Sequence, residues 1–112
     1  MALSQGNFSS GPAGMTLKAW VLLDGSTGNN LKSFNVNTVT RNSAGRYTIT
    51  FLAVMAGVNY VGRMELNALN HYNGMSISTE ISGKTTGSVQ VVHVNQAATL
   101  VDAYQLLVAF YE

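Results

Sequence analysis

The sequence contains no cysteine. That excludes a disulfide framework, a thiolate metal site and a cysteine nucleophile. Charge is scarce as well. Asp, Glu, Lys and Arg make up 10% of the 112 residues, against ~25% in an ordinary globular domain. Much of the surface must therefore be Asn, Ser, Thr and Gly. The net charge is +1, and Lys18, Lys32, Lys84, Arg41, Arg46 and Arg63 are scattered along the chain. Nucleic-acid and anionic-membrane partners demand clustered basic residues, so neither is expected. No apolar run approaches the ~20 residues of a membrane-spanning helix. The opening "MALSQGNFSSGPAGM" has neither the basic start nor the apolar core of a signal peptide. The expectation is a soluble product made in a cytoplasm.

Helical periodicity is also missing. "MELNALNHY" (64–72) comes nearest, but it ends in Asn, His and Tyr and reads as strand end plus loop. What remains is short alternation of apolar and polar residues, punctuated by Gly and Asn. Strands are expected at 17–23, 32–41, 46–52, 58–66, 75–81, 88–94 and 104–111. The connectors "DGSTGNN", "NSAG", Asn73-Gly74 and "SGKTTG" carry turn chemistry. About seven short strands in ~100 residues predict an all-β fold, a single antiparallel β-sandwich. Residues 1–16, rich in Gly and Ser and holding the only proline, Pro12, read as an extended N-terminal arm for anchoring or subunit contacts. The sandwich domain takes 17–112.

The hairpin "VTRNSAGRYTITF" (39–51) is the best specified element. A three-residue loop, Ser43-Ala44-Gly45, with Gly45 left-handed, sets Asn42 opposite Arg46. Arg41 then faces Tyr47 and lies over it at the rim. Thr40 faces Thr48, Val39 faces Ile49, Thr38 faces Thr50 and Asn37 faces Phe51. Val39, Tyr47, Ile49 and Phe51 share a core face, while Thr38, Thr40, Thr48 and Thr50 share the other. Phe34 and Val36 have the opposite parity, which requires a bulge or bend near Asn37. The threonine ladder is either a solvent face or a subunit contact through hydroxyls.

Catalytic signals are weak. His93 lies in phase with Val89 and Val91 and reads as a strand histidine with a local hydrogen bond. Asp24, Glu65, Glu80, Asp102 and Glu112 show no spacing of an acid–base pair or a metal cage. "SGKTTG" lacks the preceding glycine and the following helix of a phosphate-binding loop. No enzyme, cofactor or metal is expected. His71, Tyr72 and Asn73 combine ring faces with an amide and form the candidate receptor-binding loop, with host glycan as ligand. Apolar residues on both faces of the terminal strands, including Trp20 and Leu22 near the start and Leu107 and Tyr111 near the end, imply a second cover. Subunit association or the folded-back arm would supply it.

Lys18-Ala19-Trp20-Val21, Ser33-Phe34-Asn35-Val36, "VTRNSAGRYTITF", Met55 and Asn59-Tyr60 follow one another in a recognisable order. A Thr-rich turn, a strand at 88–94 and Asp102 before an apolar last strand continue it. Together these resemble the β-sandwich domain at the C-termini of bacteriophage tail fibres, over about residues 17–111. The resemblance implies a virion structural protein, a homotrimer, joined to other virion proteins through residues 1–15 and exposing distal loops for host attachment. A head decoration or head-fibre protein is the alternative, and a free carbohydrate-binding adhesin a further one.

Overall fold

The computed structural model describes residues 14–67, 78–95 and 97–112. The expected fold class is the observed one: two four-stranded antiparallel sheets packed as a sandwich, with no helix among the described residues. Eight strands replace the expected seven. They are β1 (Leu17–Asp24), β2 (Asn30–Phe34), β3 (Val36–Ser43), β4 (Arg46–Phe51), β5 (Val61–Asn67), β6 (Ser78–Ser82), β7 (Ser88–Val94) and β8 (Gln105–Tyr111). One sheet has the order β2-β1-β8-β5 and the other β3-β4-β7-β6.

The extra strand arises at Asn35. The expected strand at 32–41 is broken there, because Asn35 has a φ of 57°. Asparagine is among the few side chains that enter this left-handed region readily. Its side chain then fixes the break. Nδ2 donates to the carbonyls of Lys18 (3.0 Å) and Ala53 (3.1 Å), and Oδ1 accepts from Ala53 N–H (2.7 Å). The kink carries the chain from the first sheet into the second. Val36 turns into the core, while Phe34 is left 52% exposed, and the parity change against Val39 comes from the expected bulge at Asn37.

The hairpin register holds in its middle. Arg41 pairs with Tyr47, Thr40 with Thr48, Val39 with Ile49 and Thr38 with Thr50, and Gly45 has a φ of 73°. Both ends differ from expectation. Val36, not Asn37, faces Phe51, and Ser43, not Asn42, faces Arg46. Asn37 and Asn42 are bulged out of the ladder, so the turn is shorter than the three residues expected. An extra residue on one strand keeps its neighbours on the correct face while adding twist.

The core lies between the sheets. β1 sends in Ala19, Val21 and Leu23, and β8 sends in Leu106, Val108 and Phe110. β4 answers with Tyr47, Ile49 and Phe51, and β7 with Val89 and Val91. Phe51, Tyr60 and Phe110 meet edge to face, with ring centroids 5.2–5.9 Å apart. This geometry sets the positive edge of one ring on the negative face of the next. Tyr104, the first residue of the expected strand at 104–111, instead precedes β8 and is 49% exposed.

Candidate functional site

Strand directions sort the connections into two ends. Thr16 and Glu112 exchange backbone hydrogen bonds of 3.0 Å, so the chain enters the sandwich beside its last residue. At this end lie Asn35, the segment 52–60 and the segment 83–87. The 24–30 turn, the 43–46 turn, the 95–104 segment and the departure of the chain from β5 at Asn67 lie at the opposite end.

The entry end is apolar outside and held together by polar groups inside. Leu52, Val54 and Val58 are 67%, 66% and 48% exposed. Beneath them the Glu112 carboxylate accepts from Ala56 N–H (2.7 Å) and Gly57 N–H (3.0 Å). The Tyr60 hydroxyl contacts the Thr85 and Ser88 carbonyls at 2.7 and 3.0 Å. Lys84 lies over the Tyr60 ring at 5.3 Å and donates to the Tyr60 carbonyl. Thr85 Oγ1 accepts from Gly87 and Ser88 N–H, closing the turn. The Gly-Lys-Thr of "SGKTTG" thus serves a packed β-turn.

The far end is organised by Asp102. Its carboxylate takes a forked hydrogen bond from Arg41 Nε (3.0 Å) and Nη2 (2.9 Å) and another from Gly45 N–H (3.0 Å). The Tyr47 hydroxyl lies 2.6 Å from the Gly25 carbonyl, to which it donates, and 3.3 Å from Asp102. The same hydroxyl accepts from Ala103 N–H. Burial pushes the Asp102 carboxyl up, but the hydrogen bonds from Arg41 and Gly45, the Arg41 charge and the Tyr47 hydroxyl outweigh it and hold it below the usual carboxylate range. Burial pushes the Tyr47 hydroxyl up to about 12. Arg41 faces Tyr47 in the register, and its guanidinium is held by Asp102.

Two further contacts complete this end. His93 is buried, and its Nδ1 lies 2.8 Å from the Val101 carbonyl. A carbonyl only accepts, so this nitrogen carries a proton. The local hydrogen bond expected of His93 is therefore present. Asp24 caps its own turn through Ser26 Oγ (2.8 Å) and Ser26 N–H (2.9 Å), which hold its carboxyl below the usual range. Asn95 does likewise, taking N–H bonds from Ala97 and Thr99.

The expected interface residues fall on opposite sides of the sandwich. Trp20, Leu22, Leu107 and Tyr111 point away from the core on the first sheet. Tyr111 and neighbouring Ala109 are nevertheless buried within the single chain, with Arg63 above the Tyr111 ring at 6.0 Å. Thr38, Thr40, Thr48 and Thr50 lie on the outer face of the second sheet. No single flat contact engages both sets. The threonine ladder is also largely satisfied internally: Thr38 and Thr50 hydroxyls are 2.5 Å apart, and Thr48 donates to Asn42 Oδ1 (2.7 Å). His71, Tyr72 and Asn73 lie outside the described residues, as do residues 1–13 of the arm.

Sequence reasoning found Tyr47 as core and Asp102 only as a residue before the last strand. It missed their union with Arg41, Gly45 and Gly25. Among the described residues no group of three His, Asp or Glu side chains is placed to hold a metal ion. Comparison with protein-family models, curated proteins and solved structures gives no match.

Proposed function

We propose that the chain is a non-enzymatic bacteriophage virion structural protein of tail-fibre type. It is a homotrimer, attached to the particle through residues 1–15 and presenting the loops of the far end for host attachment. The observation that carries this reading is the polarity of the sandwich. The chain enters at one end, where Leu52, Val54 and Val58 are exposed. Turns pinned by Asp24, Asn95 and Asp102 occupy the other, with Leu31 and Tyr104 exposed beside them. An attachment module needs this division, with an apolar surface for fixed partners and rigid polar loops for transient ones.

The acids support a structural role. Asp24, Asp102 and Glu112 each accept backbone N–H groups in turns, which is positioning work. A general acid–base pair needs carboxylates aimed at a shared reacting group. The head-decoration alternative shares the same entry-end anchor.

Immunoelectron microscopy of intact particles, with antibody raised against the folded chain, tests the reading. Label at fibre tips is the expected result. Label spread over the head replaces the fibre assignment with decoration. Particles without label, from a lysate in which the chain is abundant, overturn the virion role.

A further inference from the structure

The outer face of the first sheet carries two cross-strand rows of unusual composition. Directly opposed residues in an antiparallel sheet share a face and a height along the strands. One row reads Lys32, Leu22, Leu107, Glu65 from the β2 edge to the β5 edge. The next reads Phe34, Trp20, Ala109, Arg63. Each row therefore begins and ends in side chains that complement each other. Lys32 and Glu65 are both exposed, and neither makes an ion pair among the described residues. Phe34 is 52% exposed, and Arg63 is exposed at the opposite edge.

We propose that β2 of one copy meets β5 of the next in a closed ring of three. This rests on the homotrimer reading above and names the surface that builds it. The register is the one that joins the complementary ends of the two rows: Lys32 faces Glu65 of the next copy and Phe34 faces its Arg63. Strand direction agrees. β2 runs toward the entry end and β5 away from it, so the new neighbours are antiparallel like every pair within the sheet. The contact is head to tail, and such contacts form closed rings when the rotation closes. Leu22 and Leu107, half-buried in the single chain, come to line the side facing the axis. Lys32–Glu65 supplies charge pairing at the seam, and the Arg63 guanidinium, which has one face over its own Tyr111 ring, offers the other face to the Phe34 ring. The β2 edge, whose five residues are all exposed, is thereby covered, which removes an open template for aggregation.

Carbodiimide coupling of Lys32 to Glu65 tests the seam. Within one chain the two backbones are three strand spacings apart, roughly 14 Å. Mixing isotope-labelled with unlabelled full-length chain shows whether the joined peptides come from different copies. Light scattering alongside reports the native mass. A trimer with mixed-isotope Lys32–Glu65 peptides is expected. Lys32→Glu and Glu65→Lys should each raise the dissociation constant roughly tenfold, and the double reversal should restore most of it. A trimer that lacks the coupled peptide and ignores both reversals overturns this surface and leaves the homotrimer reading standing. A monomer at micromolar concentration overturns both.

Discussion

Arg41 and Asp102, 61 positions apart, join in a two-pronged ion pair, with Nε and Nη2 at 3.0 and 2.9 Å from the two carboxylate oxygens. This is the only ion pair among the described residues. A fork of this kind fixes orientation as well as distance. It ties the approach to β8 onto the β3–β4 hairpin and so sets the far end of the sandwich.

The pair predicts acid sensitivity. Asp102 has its carboxyl held low in the fold, so between the folded and unfolded values the unfolded chain binds more protons. Its stabilising contribution is complete above the ordinary carboxylate value of ~3.9 and is lost as pH falls through the folded value. Asp24 acts with the same sign. Urea unfolding at pH 6 and pH 3 should show a smaller acid loss for Asp102→Asn than for the unchanged chain. At pH 6 that variant should already be weaker by roughly 1–2 kcal/mol, from the hydrogen bonds it forfeits.

Tyr47 predicts the alkaline limb. Its folded value, raised to about 12 mainly by burial, exceeds the ordinary tyrosine value of ~10. The folded chain then holds its proton longer than the unfolded one. Stability from this group is intact below pH ~10 and declines as pH rises toward 12. Ultraviolet titration should show late tyrosinate absorbance that shrinks in Tyr47→Phe, the remainder coming from Tyr60, which burial also raises. That variant leaves the Gly25 carbonyl and Ala103 N–H short of a partner and should lose about 1–3 kcal/mol in urea unfolding.

Two glycines should respond in opposite ways to alanine. A Cβ at Gly25 would lie 1.8 Å from the Ala103 carbonyl oxygen, a backbone atom that cannot move aside alone. Gly25→Ala should cost about 3 kcal/mol or more, or prevent folding. A Cβ at Gly57 meets nothing within 4 Å, and Gly57→Ala should leave the thermal midpoint nearly unchanged. Equal losses in the two variants would contradict the packing of the 24–30 turn on Ala103.

Left-handed backbone at non-glycine residues gives a further pair. Ala98 has a φ of 62° and no side-chain polar group to compensate. Ala98→Gly should stabilise by roughly 0.5–1 kcal/mol, the relief of strain exceeding the added unfolded-state entropy. Asn35 has a similar φ of 57°, but its amide holds Lys18 and Ala53. Asn35→Gly should destabilise by about 1–2 kcal/mol despite equal backbone relief. Thermal unfolding of the two variants reads the contrast in sign.

Much of the fold is legible locally. Alternation in "RYTITF" and "LKAWVLLD" names the buried side chains because a strand's side-chain period is two. Composition alone excluded thiol chemistry. The middle of the 36–51 hairpin was recoverable because any one-residue slip would mix Val39, Ile49 and Tyr47 with the threonines. The change of parity between Val36 and Val39 pointed to the bulge at Asn37, whereas the one at Asn42 lies beside the turn, where no apolar side chain marks the face. At the candidate site, His93 was readable as a strand histidine, whereas the Asp102 cluster was not.

Local alternation marks the strand-forming stretches and the apolar face of β1, β4 and β8, and the absence of cysteine closes thiol chemistry to this chain. Tertiary structure decided which sheet each strand joins, where a continuous-looking strand breaks at Asn35, and how Arg41, Gly45, Tyr47 and Gly25 converge around Asp102. The reason is physical. Periodicity records burial, a property of one residue and its near neighbours. Convergence of groups 22 to 61 positions apart is created only when the two sheets close on each other.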